Sequence, residues 1–525
     1  MKVLLIFPPR RDDNCFFPPT SLLYISRAIK DAGHEAQIID IPYLLEKFPQ
    51  QFSLLDDSLY NHIMGQEFDL LGLGGVVSTY YFYDVFVRKI KALRSDVPIV
   101  VGGSVGVPIR DVWEKHNPVD FLVEGEGEHV VGRLLSCLER KDFEGAKQIP
   151  GLHFLNKEGK YESVKPEIIT DLDTIPFLNY DEIDYEYYID ELSRFVWDTL
   201  PDKSYVKGGK FRCLPLLTSR GCPFTCTFCF HFNRLHRSHS IDYVIENIKF
   251  LKNKYDINGF YVMDDLFTAN RRRTIELCDS LYKADLGVYF IGSGGKPSLV
   301  TEDMLQSMKR AGFIRFSYGI ESGSQKMLDV MEKKTTVEQN LNALELTRKS
   351  GIPCFANILF GMPGENRQTI LETRDFLIRA GLNSSNFWGA WATAYPGSPL
   401  FSWMKERGMV SDTRQYLFDV GSLGIYKYNF TELPFDELRK IVYKVPTQVD
   451  MAYNLKNEHY AAYLSKAIKL ALIELYFRLP EKLKGVLRWG KNAIRKLVTT
   501  QKRTVRSSAA DIEKFVQAQK PGHFD

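Results

Sequence analysis

Strand-like and helix-like segments alternate along most of this chain, in two separate runs, and that rhythm constrains the fold more than any other feature. A strand, a helix and a second strand return the chain to the same sheet edge, so such strands lie parallel and helices cover them. In residues 1 to about 145 the strand candidates are Lys2–Phe7, Glu35–Ile39, Leu70–Leu73, Ile99–Val101 and Phe121–Val123. Segments such as Ser21–Ala32 and Val85–Leu93 carry apolar residues at helical spacing between them. This run predicts an α/β domain with a doubly wound, Rossmann-like parallel sheet. The second series has strand candidates Leu214–Thr218, Phe260–Met263, Val288–Ile291, Arg315–Gly319, Cys354–Phe360 and Phe387–Ala390. Helical patterns at Ile241–Lys254, Arg271–Lys283, Thr301–Ala311, Val337–Ser350 and Thr369–Ala380 separate them. Six βα repeats fit a partial (β/α)6 TIM barrel or another doubly wound sheet, and periodicity does not choose between these.

The remaining stretches set the domain limits. Residues 146–204 lack the rhythm, with tyrosines and acids crowded into Tyr180–Tyr188, and predict a linker. The barrel series occupies 205–410, and from 411 to 525 the strands stop. There Tyr460–Leu479 predicts an Ala/Leu/Ile-rich helix, and Glu481–Arg506 holds nine lysines and arginines against one acid. A length of 525 residues exceeds one ordinary domain. A net charge of +3 does not argue for nucleic acid, and none is expected as a partner. Met1–Asp13 reads as a buried strand and its Pro8-Pro9 turn rather than a signal peptide, and no apolar run is long enough to span a bilayer. A cytoplasmic protein is expected.

Three of the eight cysteines fall within eight residues, in Thr218-Ser-Arg-Gly-Cys222-Pro-Phe-Thr-Cys226-Thr-Phe-Cys229. A disulfide framework spreads its cysteines, so this crowding points to a metal site in a reducing compartment. The loop follows the first strand of the second series, at the edge where barrels keep their active sites. Structural zinc needs a fourth ligand. Cys213 lies at the strand's far end, and His231 is the other candidate. Three thiolates without a fourth suit a [4Fe–4S] cluster with one iron left open.

The spacing Cys-x3-Cys-x2-Cys, with Phe228 before the last cysteine, resembles the signature of the radical S-adenosylmethionine (SAM) superfamily. The resemblance covers roughly residues 205–410. It implies a cluster on Cys222, Cys226 and Cys229, SAM bound at the open iron, and a 5′-deoxyadenosyl radical that takes a hydrogen atom from a substrate. It further implies SAM contacts at Phe228, at Asp264 or Asp265 after the second strand, at Glu321 and Ser322 after the fourth, and at Gly361 and Pro363 after the fifth. For the aspartates, capping of the next helix is the competing reading.

The first domain resembles the cobalamin-binding domain of B12-dependent members of that superfamily. The likeness rests on Pro18-Pro19-x2-Leu22-x7-Ile29-x3-Gly33-His34-x4-Ile38-Ile39-Asp40, on Ser78-Thr79, on Gly102-Gly103 and on Glu124-Gly125-Glu126-Gly127-Glu128. Glycines at Gly74-Gly75 and the positions just named follow strand ends, where they allow backbone to approach a flat corrin or simply make tight turns. Two departures stand out. No Asp-x-His-x-x-Gly follows the first strand, and His62-x-x-Gly65 matches it only in part. Gly102-Gly103-Ser104-Val105 stands where many relatives place a Pro-His pair. Cobalamin held without a histidine and a domain that no longer binds it are both open readings.

Elsewhere, Cys354 reads as a buried small hydrophobe before a substrate thiol. His231 and His236 read as neighbours of the cluster rather than ligands. Trp388 and Trp391 read as core or as cavity wall, and Arg271–Arg273 as a solvated helix start. No acid or base is singled out for catalysis. The implied activity is cobalamin-dependent methyl transfer to an unactivated carbon, with a radical SAM oxidoreductase, cyclase or carbon–carbon bond former as the alternative and a non-catalytic metal-stabilised binding protein as a third reading. Expected partners are a small-molecule substrate of lipid-like or pigment-like character and an electron donor such as flavodoxin or ferredoxin. Peripheral membrane contact through residues 460–506 is the further expectation, because basic, Trp-containing amphipathic segments lie on anionic surfaces.

Overall fold

A computed structural model of the chain describes residues 1–10, 17–420, 427–479 and 505–519. The first sheet contains β1 (Lys2–Phe7), β2 (Glu35–Asp40), β3 (Leu70–Gly75), β4 (Ile99–Gly103), β5 (Phe121–Val123), β6 (Leu152–Leu155) and β7 (Tyr161–Ser163). Their spatial order is β2-β1-β3-β4-β5-β6-β7, with the first five strands parallel. The order reverses between β1 and β3, which is the switch point where doubly wound sheets open a ligand crevice. The strands are apolar on both faces, as burial between two helical layers demands.

Two sequence expectations change here. Gly74-Gly75 and Gly102-Gly103 do not follow β3 and β4 but end them, paired Gly74↔Gly102 and Gly75↔Gly103. A Cβ on Gly103, at φ +79°, would stand 2.4 Å from the Gly75 carbonyl oxygen, so bare backbone lets the ladder run to the sheet edge. The stretch read as linker also carries β6 and β7, an antiparallel hairpin that extends the first sheet. These strands have four and three residues, too short to show a period. The same stretch holds the helix Tyr185–Thr199, whose Leu192 and Val196 pack with Cys213, Ile291 and Ile314 at the N-terminal end of the second sheet.

That second sheet takes β8 (Cys213–Leu216), β11 (Gly259–Val262), β12 (Tyr289–Gly295), β13 (Phe313–Glu321), β14 (Cys354–Phe360) and β15 (Phe387–Trp391) in sequential order, all parallel. With no reversal, every right-handed crossover puts its helix on the same face. The result is a partial (β/α)6 barrel, and the doubly wound alternative is set aside. Between β8 and β11 lie the two-residue strands β9 (Ser219–Arg220) and β10 (Arg237–Ser238), paired antiparallel.

Helices follow the barrel. Thr413–Asp419 docks on the first domain, where Arg414 makes a bidentate pair with the fully buried Asp84 at 2.9 and 3.0 Å. Phe435–Lys456 and Tyr460–Arg478 pack against each other. Val505–Ala518 returns to bury Ile512, Phe515 and Val516 in the first domain's core. Cys15 and most of the basic stretch lie outside the described residues.

Candidate active site

The cysteine loop leaves β8 and is closed at its base by the β9–β10 ladder, which pairs Arg220 with Arg237 and Ser219 with Ser238. Closure requires glycine at 221. Its φ is +87°, and a Cβ there would meet the Leu235 carbonyl oxygen at 2.3 Å. The base is pinned from β11's end. Asp264 accepts from the Thr218 amide (2.7 Å), the Thr218 hydroxyl (2.6 Å) and the Ser219 hydroxyl (2.6 Å). Burial pushes its carboxyl up from the ordinary range. Asp265 accepts from the Gly221 amide at 2.8 Å. The Asp264-Asp265 pair thus shapes the cluster loop. Neither residue caps the next helix, whose N-cap is Asn270. Arg273, read as a solvated helix start, is half-buried and donates to the carbonyls of Thr218 and His239 at 2.9 and 3.1 Å. Arg271 and Arg272 are exposed as expected.

Cys226 is buried, and Cys222 and Cys229 are half-buried, all three unpaired. A hydrogen bond from Cys229, opposed by burial and helped by Lys333 and Lys296, lowers Cys226, while the same contact pushes Cys229 up. Burial raises Cys222. Two lysines therefore sit where thiolate charge accumulates, and sequence reasoning missed both. Burial and the charge of Lys333 lower Lys296 to about 8, and its ammonium lies 4.0 Å from the Phe224 ring centroid and bonds the Lys333 carbonyl. Lys333 pairs with Glu321 at 2.9 Å, both side chains nearly enclosed. Glu321 ends β13 at φ +63°, a strained conformation for a side-chain-bearing residue, and bare Gly319 leaves room for the pair. Lys296 directly after β12 was a weak signal, and Lys333, in the loop between the helices Gln325–Val330 and Val337–Lys349, offered none.

Among the described residues no three His, Cys, Asp or Glu side chains converge on a single ion. A mononuclear site needs such convergence. A four-iron cluster takes thiolate ligands, and three thiols on one loop beside the ammonium groups of Lys296 and Lys333 fit its donor chemistry. A cavity of about 650 Å³ opens beside Cys226 and Cys229, lined also by Thr225, His231, Phe232, Arg234, Ser398 and Trp403. His231 and His236 are half-buried, each with an unbonded Nε2.

The other implied residues divide. Phe228 is half-buried, with the Lys333 ammonium 5.8 Å from its ring centroid. Ser322 is buried and bonds the Thr373 hydroxyl at 3.0 Å, so it braces the turn after β13. The Gly361 amide donates to the enclosed Glu365 carboxylate at 2.5 Å, and Pro363 in that turn is half-exposed. Burial raises Glu365 to about 8. Cys354 points toward the Leu344 carbonyl of an outer helix, away from the barrel interior, and Trp391 packs in the core while Trp388 is 47% exposed.

At the first sheet's C-terminal edge, Ser78 and Thr79 form a short 3-10 turn in which Thr79 is buried and bonds the Val76 carbonyl. Gly102 and Gly125 leave space: a Cβ on either would meet a single atom, at 4.0 and 3.9 Å. Gly127 packs against Ile25. Glu126, expected at a cofactor, instead reaches the barrel. It accepts from Arg237 at 2.6 and 3.1 Å, from Arg220 at 3.2 Å and from the Ile169 amide at 3.1 Å. Glu128 meets Arg220 at 2.7 Å. Arg220 and Arg237 are the facing pair of the β9–β10 ladder, so the glutamates of the first domain grip the base of the cysteine loop. His62 sits on a helix leading back to the sheet's N-terminal edge, far from this crevice in the topology.

Residues 216–377 match the family model of the radical SAM superfamily. An uncharacterized methyltransferase of Pyrococcus horikoshii is 28% identical over 77% of this chain and 83% of its own length. The anaerobic magnesium-protoporphyrin IX monomethyl ester cyclase of Rubrivivax gelatinosus is 28% identical over 80% of this chain and 72% of its own. In fold, the chain is similar to the cobalamin-dependent SAM radical enzyme OxsB, solved with aqua-cobalamin and SAM bound. That likeness has a TM-score of 0.66 at 16% identity, covering 99% of this chain and 78% of that one.

Proposed function

From the radical SAM domain that this chain carries, we propose that it is a cobalamin-dependent radical SAM enzyme transferring a methyl group to an unactivated carbon of a small molecule. The observation that carries this reading is the grip of Glu126 and Glu128 on Arg220, two residues before Cys222. It joins the ligand-binding edge of one α/β sheet to the cluster loop of another. A methyl donor on the first sheet and a radical generated in the barrel must meet at one substrate, and this contact fixes their two frames against each other. Cys222, Cys226 and Cys229 would hold the cluster, and the edge around Gly102 and Gly125, where a Cβ has almost nothing to meet, would face the corrin. When bound, the cluster supplies the electron that cleaves SAM, and cobalamin supplies a transferable methyl group. The protein's own part is positional and electrostatic. Asp264, Asp265 and Arg273 hold the loop, Lys296 and Lys333 offset thiolate charge, and the apolar barrel wall excludes water from reactive species.

A lipid-like or pigment-like substrate, an electron donor such as flavodoxin or ferredoxin, and peripheral membrane contact through residues 460–506 belong to the same proposal. The likeness to the ester cyclase favours one second reading, a radical SAM cyclase or oxidoreductase. Anaerobic reconstitution followed by turnover separates the two. Methyl transfer yields S-adenosylhomocysteine together with 5′-deoxyadenosine and retains cobalt. Release of 5′-deoxyadenosine alone supports the second reading, and failure to cleave SAM refutes both.

A further inference from the structure

The helix Tyr460–Arg478 turns its ion pairs inward. Lys466 meets Asp450 at 2.5 Å, and Glu474 meets Lys440 at 3.0 Å and also Lys444, all on the preceding helix Phe435–Lys456. On the opposite side Tyr460, Leu464, Ile468, Leu472 and Leu475 are each 56–64% exposed. Steps of four, four, four and three residues keep these side chains on one face along the helix. Single exposed leucines are ordinary, but a continuous apolar ridge about 22 Å long marks a contact surface.

We infer that this ridge docks the protein on an anionic lipid surface. Two observations choose lipid over a second copy of the chain. The sequence running on from the helix, Glu481–Arg506, carries nine lysines and arginines against one acid, and Lys469 and Arg478 on the helix are exposed as well. Two copies joined along the ridge would bring these like charges together, whereas anionic headgroups neutralise them. The ridge is also convex and aliphatic, four of its five members being leucine or isoleucine. Protein hot spots favour Trp, Tyr and Arg seated in pockets, while an acyl boundary accepts a Leu-rich helix face directly. Among the described residues no helix is long and apolar enough to cross a membrane, so the contact is a surface one.

This surface rests on the membrane contact proposed above and not on the chemistry, and its test needs no turnover, so its failure leaves the catalytic reading standing. The full chain is floated with phosphatidylcholine vesicles containing phosphatidylglycerol, with pure phosphatidylcholine vesicles, and at low and high salt. A variant carrying Leu464→Gln, Ile468→Gln and Leu472→Gln keeps good helix formers on the exposed face. Circular dichroism checks that its helix content is unchanged, and a second variant, Lys482→Gln with Lys484→Gln and Arg488→Gln, tests the charges without touching the helix. The expected result is flotation of the parent with anionic vesicles, weakened by salt, and a drop of about a hundredfold in partitioning for the triple ridge variant. Equal flotation of the ridge variant and the parent overturns the inference. So does a parent that stays unbound but sediments as a dimer that the ridge substitutions dissociate.

Discussion

Replacing Glu126 with alanine removes the centre of the contact between the first domain and the cysteine loop. Only 5% of the Arg237 side chain and 11% of Glu126 are exposed. Without the carboxylate, Arg237 keeps only the carbonyls of Ile169 and Leu235, and Arg220 keeps Glu128. Stranding a buried charge by deleting one partner costs about 3–5 kcal/mol. At about 1.4 kcal/mol per decade, local opening becomes two to three and a half orders of magnitude more frequent. Amide hydrogen exchange over residues 219–239 reads this directly, where protection follows the opening equilibrium. Glu126→Gln, which keeps an acceptor and the packing, falls between parent and alanine. Burial opposes ionisation of Glu126, but hydrogen bonding to Arg237 and the charges of Arg220 and Arg237 outweigh it, and its pKa is lowered. Because the folded value lies below the unfolded one, the contact is at full strength above the ordinary carboxylate range. It is lost as pH falls through the depressed folded value. A tenfold or smaller loss of protection in Glu126→Ala at neutral pH would falsify the claim that this contact holds the loop.

Alanine at Cys222, Cys226 or Cys229 abolishes iron–sulfide incorporation and SAM cleavage, whereas Cys137→Ala, in a helix of the first domain, leaves both intact; iron and sulfide analysis with chromatography of 5′-deoxyadenosine checks this. Gly221→Ala adds a Cβ at 2.3 Å from a backbone oxygen and about 1–2 kcal/mol of left-handed strain, so cluster loading collapses while far-ultraviolet circular dichroism stays as in the parent. The proposed cobalamin is expected to carry no histidine on cobalt, because no Asp-x-His-x-x-Gly follows β1 and His62 lies on a helix leading to the sheet's N-terminal edge. Paramagnetic resonance of the Co(II) form shows no histidine-nitrogen hyperfine splitting, and observing that splitting sinks the assignment.

Alternation of strand and helix, the tripled cysteine loop and the strand-end glycines are local patterns, and each was legible in the sequence because local spacing produces it. The strand β14, Cys354–Phe360, has the bounds its apolar run predicts. Short strands escaped. β6 and β7 have no period to display, and they exist because β5 offers an edge to pair with. Periodicity alone did not choose the barrel over a second open sheet, since strand order is a relation between distant segments; the family resemblance of the cysteine loop carried the barrel expectation, and the sequential strand order bears it out.

Site residues follow the same division. The sequence by itself determined that Cys222, Cys226 and Cys229 share one loop at a strand's C-terminal end, because eight residues of chain cannot separate them far. Only the tertiary structure decided what the surrounding charges do. Asp264 turns to the loop's own backbone and Glu321 meets Lys333. Glu126 leaves the crevice for Arg220 and Arg237, 94 and 111 positions away. A buried carboxylate takes whichever donors the fold brings within about 3 Å, and that is set by packing between elements rather than by spacing along the chain.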